Sequence, residues 1–180
     1  MGDKYGCYGT QKIKQFTYTG EFKNRKRHGN GSMTWPNGDK YVGNFAYGHR
    51  EGKGTYTWKN GDNYEGNYKN SKMHGKGKLT WANGDIYEGD FFKGKRNGWG
   101  KYYWVSGQKY IGKYKNGVKI GRWQEGGEYG RYMNGKREGL WKAYVNEGLI
   151  ALYNYKDGIL NGKYKRFFKE DCINLNLLMS

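Results

Sequence analysis

Aromatic and polar residues alternate along most of this chain. Tyr41, Gly43 and Phe45 alternate with Val42 and Asn44; Gly54, Tyr56 and Trp58 alternate with Thr55 and Thr57. A period of two predicts strands with one aromatic and one polar face. Asn60-Gly61-Asp62 lies between two such strands. Asn-Gly is a strong hairpin signal, because both central residues of a type I′ turn need φ > 0. Tight turns are therefore expected at Asn37-Gly38, Asn60-Gly61 and Asn83-Gly84, with Ser106-Gly107 a weaker version. The other connection reads as the five-residue stretch Gly48-His49-Arg50-Glu51-Gly52, echoed by Gly94 to Gly98.

The alternation sits inside a longer repeat. Tyr18, Tyr41, Tyr64, Tyr87 and Tyr110 are each 23 residues apart, and Gly20, Gly43, Gly66, Gly89 and Gly112 follow two positions later. Phe22, Phe45, Tyr68, Phe91 and Tyr114 keep the same step, as do Trp35, Trp58, Trp81 and Trp104. Four full units run over 18–40, 41–63, 64–86 and 87–109. After Gly121 about five residues are missing, and then the step of 23 recovers from Gly135 to Gly158. The later units are thus expected to be hairpins with a shorter turn around Glu125-Gly126-Gly127. The organisation read from this is an N-terminal cap or partial repeat over 1–17, regular repeats over 18–128, degenerate ones over 129–168 and a tail or cap over 169–180.

Glycine weakens a strand, so glycine at fixed strand positions implies close approach by another group. Gly43 lies between Tyr41 and Phe45 on one face, which suggests a slot for a ring from a neighbouring hairpin. Repeated along the array, this builds a continuous aromatic ladder.

Composition sharpens this picture. Aliphatic residues are scarce, while 19 Tyr, 7 Trp and 7 Phe leave rings to supply most of the buried area. With 32 Gly, one Pro and no G-X-Y period, collagen is excluded. Lysine and arginine outnumber acids 33 to 16, giving a formal charge of +17. That favours an anionic partner, whether membrane, nucleic acid or acidic protein, although a thin sheet also needs solubilising charge. Cys7 and Cys172 form neither a disulfide framework nor a zinc spacing. Without a secretory signal in view, a cytoplasmic setting is the expectation. The start, Met1-Gly2-Asp3-Lys4-Tyr5-Gly6-Cys7, resembles a myristoylation signal beside a palmitoylation cysteine, but departs from it at Gly6.

Chemistry is thin. His28 and His74 occupy the same slot two units apart, roughly 19 Å at ~4.8 Å per strand, too far to share a metal. The Gly-Lys-Gly stretches lack phosphate-loop spacing. No catalytic, metal or cofactor site is expected, and the chain does not read as an enzyme.

Tyr-x-Gly-x-aromatic, then Gly-Lys-x-x-Gly-x-Gly, then Asn-Gly-Asp, on a 23-residue period, resembles the MORN (membrane occupation and recognition nexus) repeat. The segment 129–168 is similar to the degenerate variant found in bacterial proteins. The resemblance implies an all-β fold: an elongated, single-layer antiparallel sheet of successive β-hairpins, solenoid-like and bent into a half-pipe. It also implies scaffolding, cytoskeletal or ciliary roles and, more debatably, binding to anionic lipids.

The function expected is a non-enzymatic scaffold. Its protein partner, a helix or an extended peptide, would lie in an aromatic groove contacting Tyr56, Trp58, Trp81, Tyr102 and Trp104. The alternative is peripheral binding to an anionic membrane through a basic loop edge of Lys26, Arg27, Arg50, Lys72, Lys95, Arg96, Lys119, Lys136 and Arg137. Nucleic acid ranks third, because the rings belong to the packing ladder. Exposed sheet edges at both ends leave a homodimer open.

Overall fold

The computed structural model describes residues 6–145, 149–162 and 165–168. Among these there is no helix, and the amphipathic alternation becomes pleated strand. The chain forms two compact units, Met1–Gly98 and Trp99–Ser180. The first holds β1 (Cys7–Ile13), β2 (Phe16–Lys23), β3 (Lys26–Thr34), β4 (Lys40–Ala46), β5 (His49–Thr57), β6 (Asn63–Lys69), β7 (Lys72–Thr80) and β8 (Ile86–Phe92). Strand β9 (Lys95–Tyr103) carries the boundary. The second unit holds β10 (Lys109–Lys115), β11 (Val118–Glu125), β12 (Glu128–Met133), β13 (Lys136–Val145), β14 (Leu149–Lys156), β15 (Ile159–Leu160) and β16 (Lys165–Phe168). Within each unit the strands pair antiparallel in chain order, as successive hairpins on an open path, and β16 adds to β14. At the front β1 pairs with β2 and sets Gly9 opposite Gly20. Gly2 and the tail 169–180 lie outside the described residues.

The turns exchange the roles expected of them. In the first unit the tight two-residue turns are Asn24-Arg25, Tyr47-Gly48, Asn70-Ser71 and Lys93-Gly94, in which both central residues have positive φ (52° and 90° at Tyr47 and Gly48). This is the I′ pattern. At Asn37-Gly38, Asn60-Gly61 and Asn83-Gly84 only the glycine is positive, with Gly38 at 96°. There the Gly38 N–H donates to the Trp35 carbonyl and the Trp35 N–H to the Asp39 carbonyl, at 2.9 and 3.0 Å. Pro36 and Gly38 thereby take positions i+1 and i+3 of a type I turn, which each favours. The five-residue connection from Gly48 to Gly52 is consequently mostly strand, since β5 begins at His49. In the second unit the short turn at Gly126-Gly127 joins β11 to β12 as expected.

The strand glycines do form a slot, but the ring that fills it comes from the same hairpin. A Cβ at Gly43 or Gly54 would strike the Tyr41 hydroxyl, and one at Gly66 or Gly77 would strike that of Tyr64. Tyr18, Tyr41, Tyr64 and Tyr87 are fully buried. Each hydroxyl donates to the backbone carbonyl three residues on, at Glu21, Asn44, Asn67 and Asp90, over 2.8–3.2 Å. In the first three units these carbonyls sit where the register shifts, as between Gly66 and Tyr68, so a bulge offers the acceptor the buried phenol needs. Neighbouring hairpins meet on the rings' other side. Phe22, Tyr18, Phe45, Tyr41, Tyr68, Tyr64, Phe91 and Tyr87 run as a ladder of near-perpendicular contacts at 4.9–5.3 Å.

In the second unit tryptophan takes over the tyrosine role. The indoles of Trp123 and Trp141 lie over Gly112 and Gly130. Their Nε1–H groups donate to the carbonyls of Ile120 and Arg131 at 2.9 and 3.3 Å. Tyr114, Trp123, Tyr132, Trp141 and Tyr155 continue edge-to-face at 4.9–6.2 Å. Adjacent tight turns are also strapped together through the main chain. Gly48 N–H donates to Arg27 O, Ser71 N–H to Arg50 O and Gly94 N–H to Met73 O, at 2.9–3.0 Å.

Candidate functional site

The five rings expected to line a groove are divided between the two units. Tyr56, Trp58 and Trp81 belong to the first unit, Tyr102 and Trp104 to the second. Tyr56 packs between Trp35 and Trp58 at 5.3 and 4.7 Å and donates its hydroxyl to Asp39 Oδ2 at 2.8 Å. Burial pushes its hydroxyl up to about 12, assisted by the Asp39 hydrogen bond. Asp39 is committed as well: its Oδ1 accepts the Lys59 N–H of the next turn at 3.0 Å, and these bonds hold its carboxyl below the usual range. Tyr102 stacks on Trp104 at 4.7 Å, and Trp104 keeps 40% of its surface exposed. Packing between turns thus consumes most of this strip.

The nine cations likewise divide. They sit on strands, not in loops, so neighbours point to opposite faces. Lys26, Lys72, Lys95 and Lys136 are exposed beside the tight turns. Arg27, Arg50, Arg96, Lys119 and Arg137 turn onto the rings. The Arg50 guanidinium lies 5.2–5.7 Å from the centroids of Trp35, Tyr41, Tyr56 and Tyr68, and its Nη2 donates to the Ser71 carbonyl at 2.8 Å. Arg27 does the same to Gly48 O at 2.7 Å, and desolvation lowers its proton affinity. In the second unit Glu125, 6% exposed, accepts from Lys119 Nζ, Arg137 Nη2 and the Tyr132 hydroxyl at 2.5, 2.8 and 2.9 Å. Arg137 reaches Glu128 too, at 2.7 Å. These five are held against rings, while the four lysines stay exposed.

The sheet's other face holds what the sequence reading missed. In the first unit it is polar and charge-balanced: Lys76 pairs with Asp90 at 2.8 Å and Lys78 with Glu88 at 3.4 Å. In the second unit its character changes. Ile111, Gln124, Tyr129 and Lys142 form one cross-strand row over β10 to β13, beside the pair Arg122 and Arg131. Together with Trp99 and Leu140 they line an open groove of about 780 Å³. Trp99, Tyr129 and Leu140 are 53%, 45% and 54% exposed, whereas Trp141, next to Leu140, is fully buried on the aromatic side. Lys113 stands over the Trp99 ring at 5.2 Å. A signal was present in the sequence. Positions 30, 53 and 76 are Asn, Lys and Lys, but 99 is Trp; positions 65 and 88 are Glu, but 111 is Ile.

Among the described residues no group of three His, Cys, Asp or Glu could hold a metal. His28 and His74 pack against Tyr47 and Phe92 at 5.9 and 5.2 Å, and Cys7 is exposed and unpaired. Cys172 lies outside the described residues.

The MORN repeat model matches residues 18–40, 41–63, 64–86 and 87–109, just over half of the chain. This chain belongs to the MORN repeat family. MORN repeats are interaction modules that serve protein and membrane contacts. Apart from Trp99, every residue of the groove lies beyond the last matched MORN unit, where the repeat loses its regular pattern. No curated protein matches the chain. Among solved structures, the TCP domain of SAS-4 (dCPAP) from Drosophila melanogaster, in complex with a proline-rich motif of Ana2 (dSTIL), is similar at 15% identity. The match covers 89% of this chain and 90% of that one, with a TM-score of 0.40. A likeness that loose says nothing about what this MORN protein binds.

Proposed function

We propose that the protein is a non-enzymatic scaffold that holds a partner protein on the exposed face of its second unit. One observation carries this reading: Trp99, Tyr129 and Leu140 are each about half exposed around a single groove, on a face that is polar in the first unit. Exposed apolar residues grouped in this way mark interaction surfaces, whereas scattered ones do not. Tyrosine and tryptophan suit such a contact because each offers an apolar body with a polar tip. The aromatic side is less available, since the ladder tyrosines are sealed by packing.

Photo-cross-linking tests the reading. A cross-linking residue at 129, at 56 or at 72 samples the groove, the turn-side rings and the lysine edge in turn. A partner captured from 129 and lost on changing Trp99 and Leu140 to Ser supports it. Capture from 56 alone moves the site to the turn-side rings and overturns it.

A second reading, membrane binding, is favoured by the exposed lysines. Lys26, Lys72 and Lys95 lie beside three of the four tight turns named in the first unit, with Lys23 and Lys69 across two of them. Flotation with acidic liposomes addresses it directly.

A further inference from the structure

We infer that the segment docking on the second unit is acidic and apolar together: a short stretch of a partner chain whose Asp or Glu residues flank Leu-, Ile- or Phe-like side chains. This rests on the reading above and adds the chemistry of the occupant. The argument is charge complementarity across a groove that already has apolar walls. Arg122, Arg131 and Lys142 line the groove, Lys113 borders it at Trp99, and the lining includes no carboxylate. Among the described residues none of these four makes an ion pair. The carboxylate in register with Arg131 is Glu138, and its Oε2 instead accepts the Asp157 N–H at 2.9 Å.

At two other places the fold pairs cations with carboxylates of its own. On this face of the first unit, lysines meet Asp90 and Glu88; on the aromatic side of the second, Lys119 and Arg137 meet Glu125 and Glu128. The groove is therefore a place where positive charge is left to be satisfied from outside. Four like charges beside an apolar wall raise the local potential, which attracts carboxylates and speeds their encounter. Once docked, apolar side chains against Trp99, Tyr129 and Leu140 supply the dry contact that charge alone does not. Reach is consistent with a short segment. From β10 to β13 the row spans three strand spacings, roughly 14 Å at ~4.8 Å each, or about four residues of extended chain.

The test uses the full chain and four fluorescein-labelled twelve-residue peptides. Three share the same Leu and Phe positions and differ only in their flanks, which are Asp/Glu, Ser or Lys; the fourth is all Glu. Anisotropy should show the acidic–apolar peptide binding more tightly than the other three. Its affinity should fall with added salt. Changing Arg122 and Arg131 together to Glu should weaken it on the order of ten-fold and transfer preference to the Lys-flanked peptide. That reversal also shows that the variant is folded. Equal binding of the three Leu/Phe peptides, or tighter binding of the all-Glu one, overturns the inference. So does a single-stranded oligonucleotide that outcompetes the acidic–apolar peptide. If the inference fails but capture from position 129 still depends on Trp99 and Leu140, the docking face stands and only its charge preference is wrong. If position 129 captures nothing, the docking face itself falls.

Discussion

The Tyr64 hydroxyl donates a 3.0 Å hydrogen bond to the backbone carbonyl of Asn67. The pair closes on itself: the phenol is fully buried, and the bulge at Asn67 turns a carbonyl toward it. Tyr64→Phe keeps the ring and removes the bond. Its cost should be about 1 kcal/mol, the net value of one such bond, read as a lowered denaturant midpoint at unchanged slope. A cost near zero would mean that the carbonyl is satisfied without the phenol.

Gly66→Val should cost more than Thr57→Val, although valine suits strands. An added Cβ at Gly66 would stand 2.5 Å from the Tyr64 Oη and 2.6 Å from the Gly77 Cα, so ring or backbone must shift. Overpacking of this kind costs roughly 1–3 kcal/mol. Thr57 is exposed, so valine there should change little. Denaturant midpoints of the two variants decide it; equal midpoints would mean that the slot yields freely.

The contrast between these two positions shows how far the sequence could be read. The step from Tyr18 to Tyr110 specified hairpins, the ladder and the repeat boundaries, because buried aromatic positions tolerate little change. Which ring fills the slot was not legible, since Tyr41 and a neighbour's ring both fit the spacing. The tight turn was assigned to the wrong end because Asn-Gly also suits the last half of a type I turn, while Tyr47-Gly48 carries a weaker signal. That error put Arg50 in a loop and hid its turn onto the rings. Trp99 and Ile111 belong to none of the position classes that repeat every 23 residues, so the repeat drew no attention to the face they occupy, which is polar one unit earlier.

Both pH limits should reflect the buried groups. Burial alone would raise the Glu125 carboxyl, but Lys119, Arg137 and Tyr132 outweigh it and hold it below its usual value. A depressed carboxyl stabilises the fold above the unfolded-state value, about 4.3, and that contribution disappears as pH falls through the folded one. Acid should therefore weaken the wild type more steeply than Glu125→Gln. At neutral pH that variant should cost on the order of 1–3 kcal/mol. This is less than breaking a fully buried pair, because Lys119 and Arg137 side chains are 28% and 24% exposed. On the alkaline side burial raises Tyr41 to about 12. Its contribution is complete below the unfolded value near 10 and lost as pH rises through 12. Midpoints collected from pH 3 to 12 would reveal both limbs; parallel acid limbs for wild type and Glu125→Gln would contradict the first.

Arg50→Met should be mild and Arg50→Ala clearly worse. The chain already places Met73 where Arg27 and Arg50 stand in earlier units, and the main-chain strap from Gly94 to Met73 survives there. Methionine keeps the stem packed on the rings and loses one charge-assisted bond to Ser71, roughly 1.5–3 kcal/mol before the regained packing. Thermal midpoints rank the two variants. If the lysine edge binds acidic liposomes, Arg50→Met should float as wild type does, while changing Lys26, Lys72 and Lys95 to Gln should release the protein.

Those straps have a consequence for how such a chain can lengthen. Each joins a turn to the equivalent place one hairpin earlier through backbone atoms alone, and Tyr18, Tyr41 and Tyr64 each meet a ring of their own unit and one of the next. Neither bond depends on which particular repeat stands next door. A 23-residue segment duplicated or excised in frame, such as 41–63, therefore presents matching atoms at both new junctions. Tandem duplication can add reach to the first unit in whole steps without redesigning any interface, whereas a deletion of any other length leaves the strands at the new junction without matching partners.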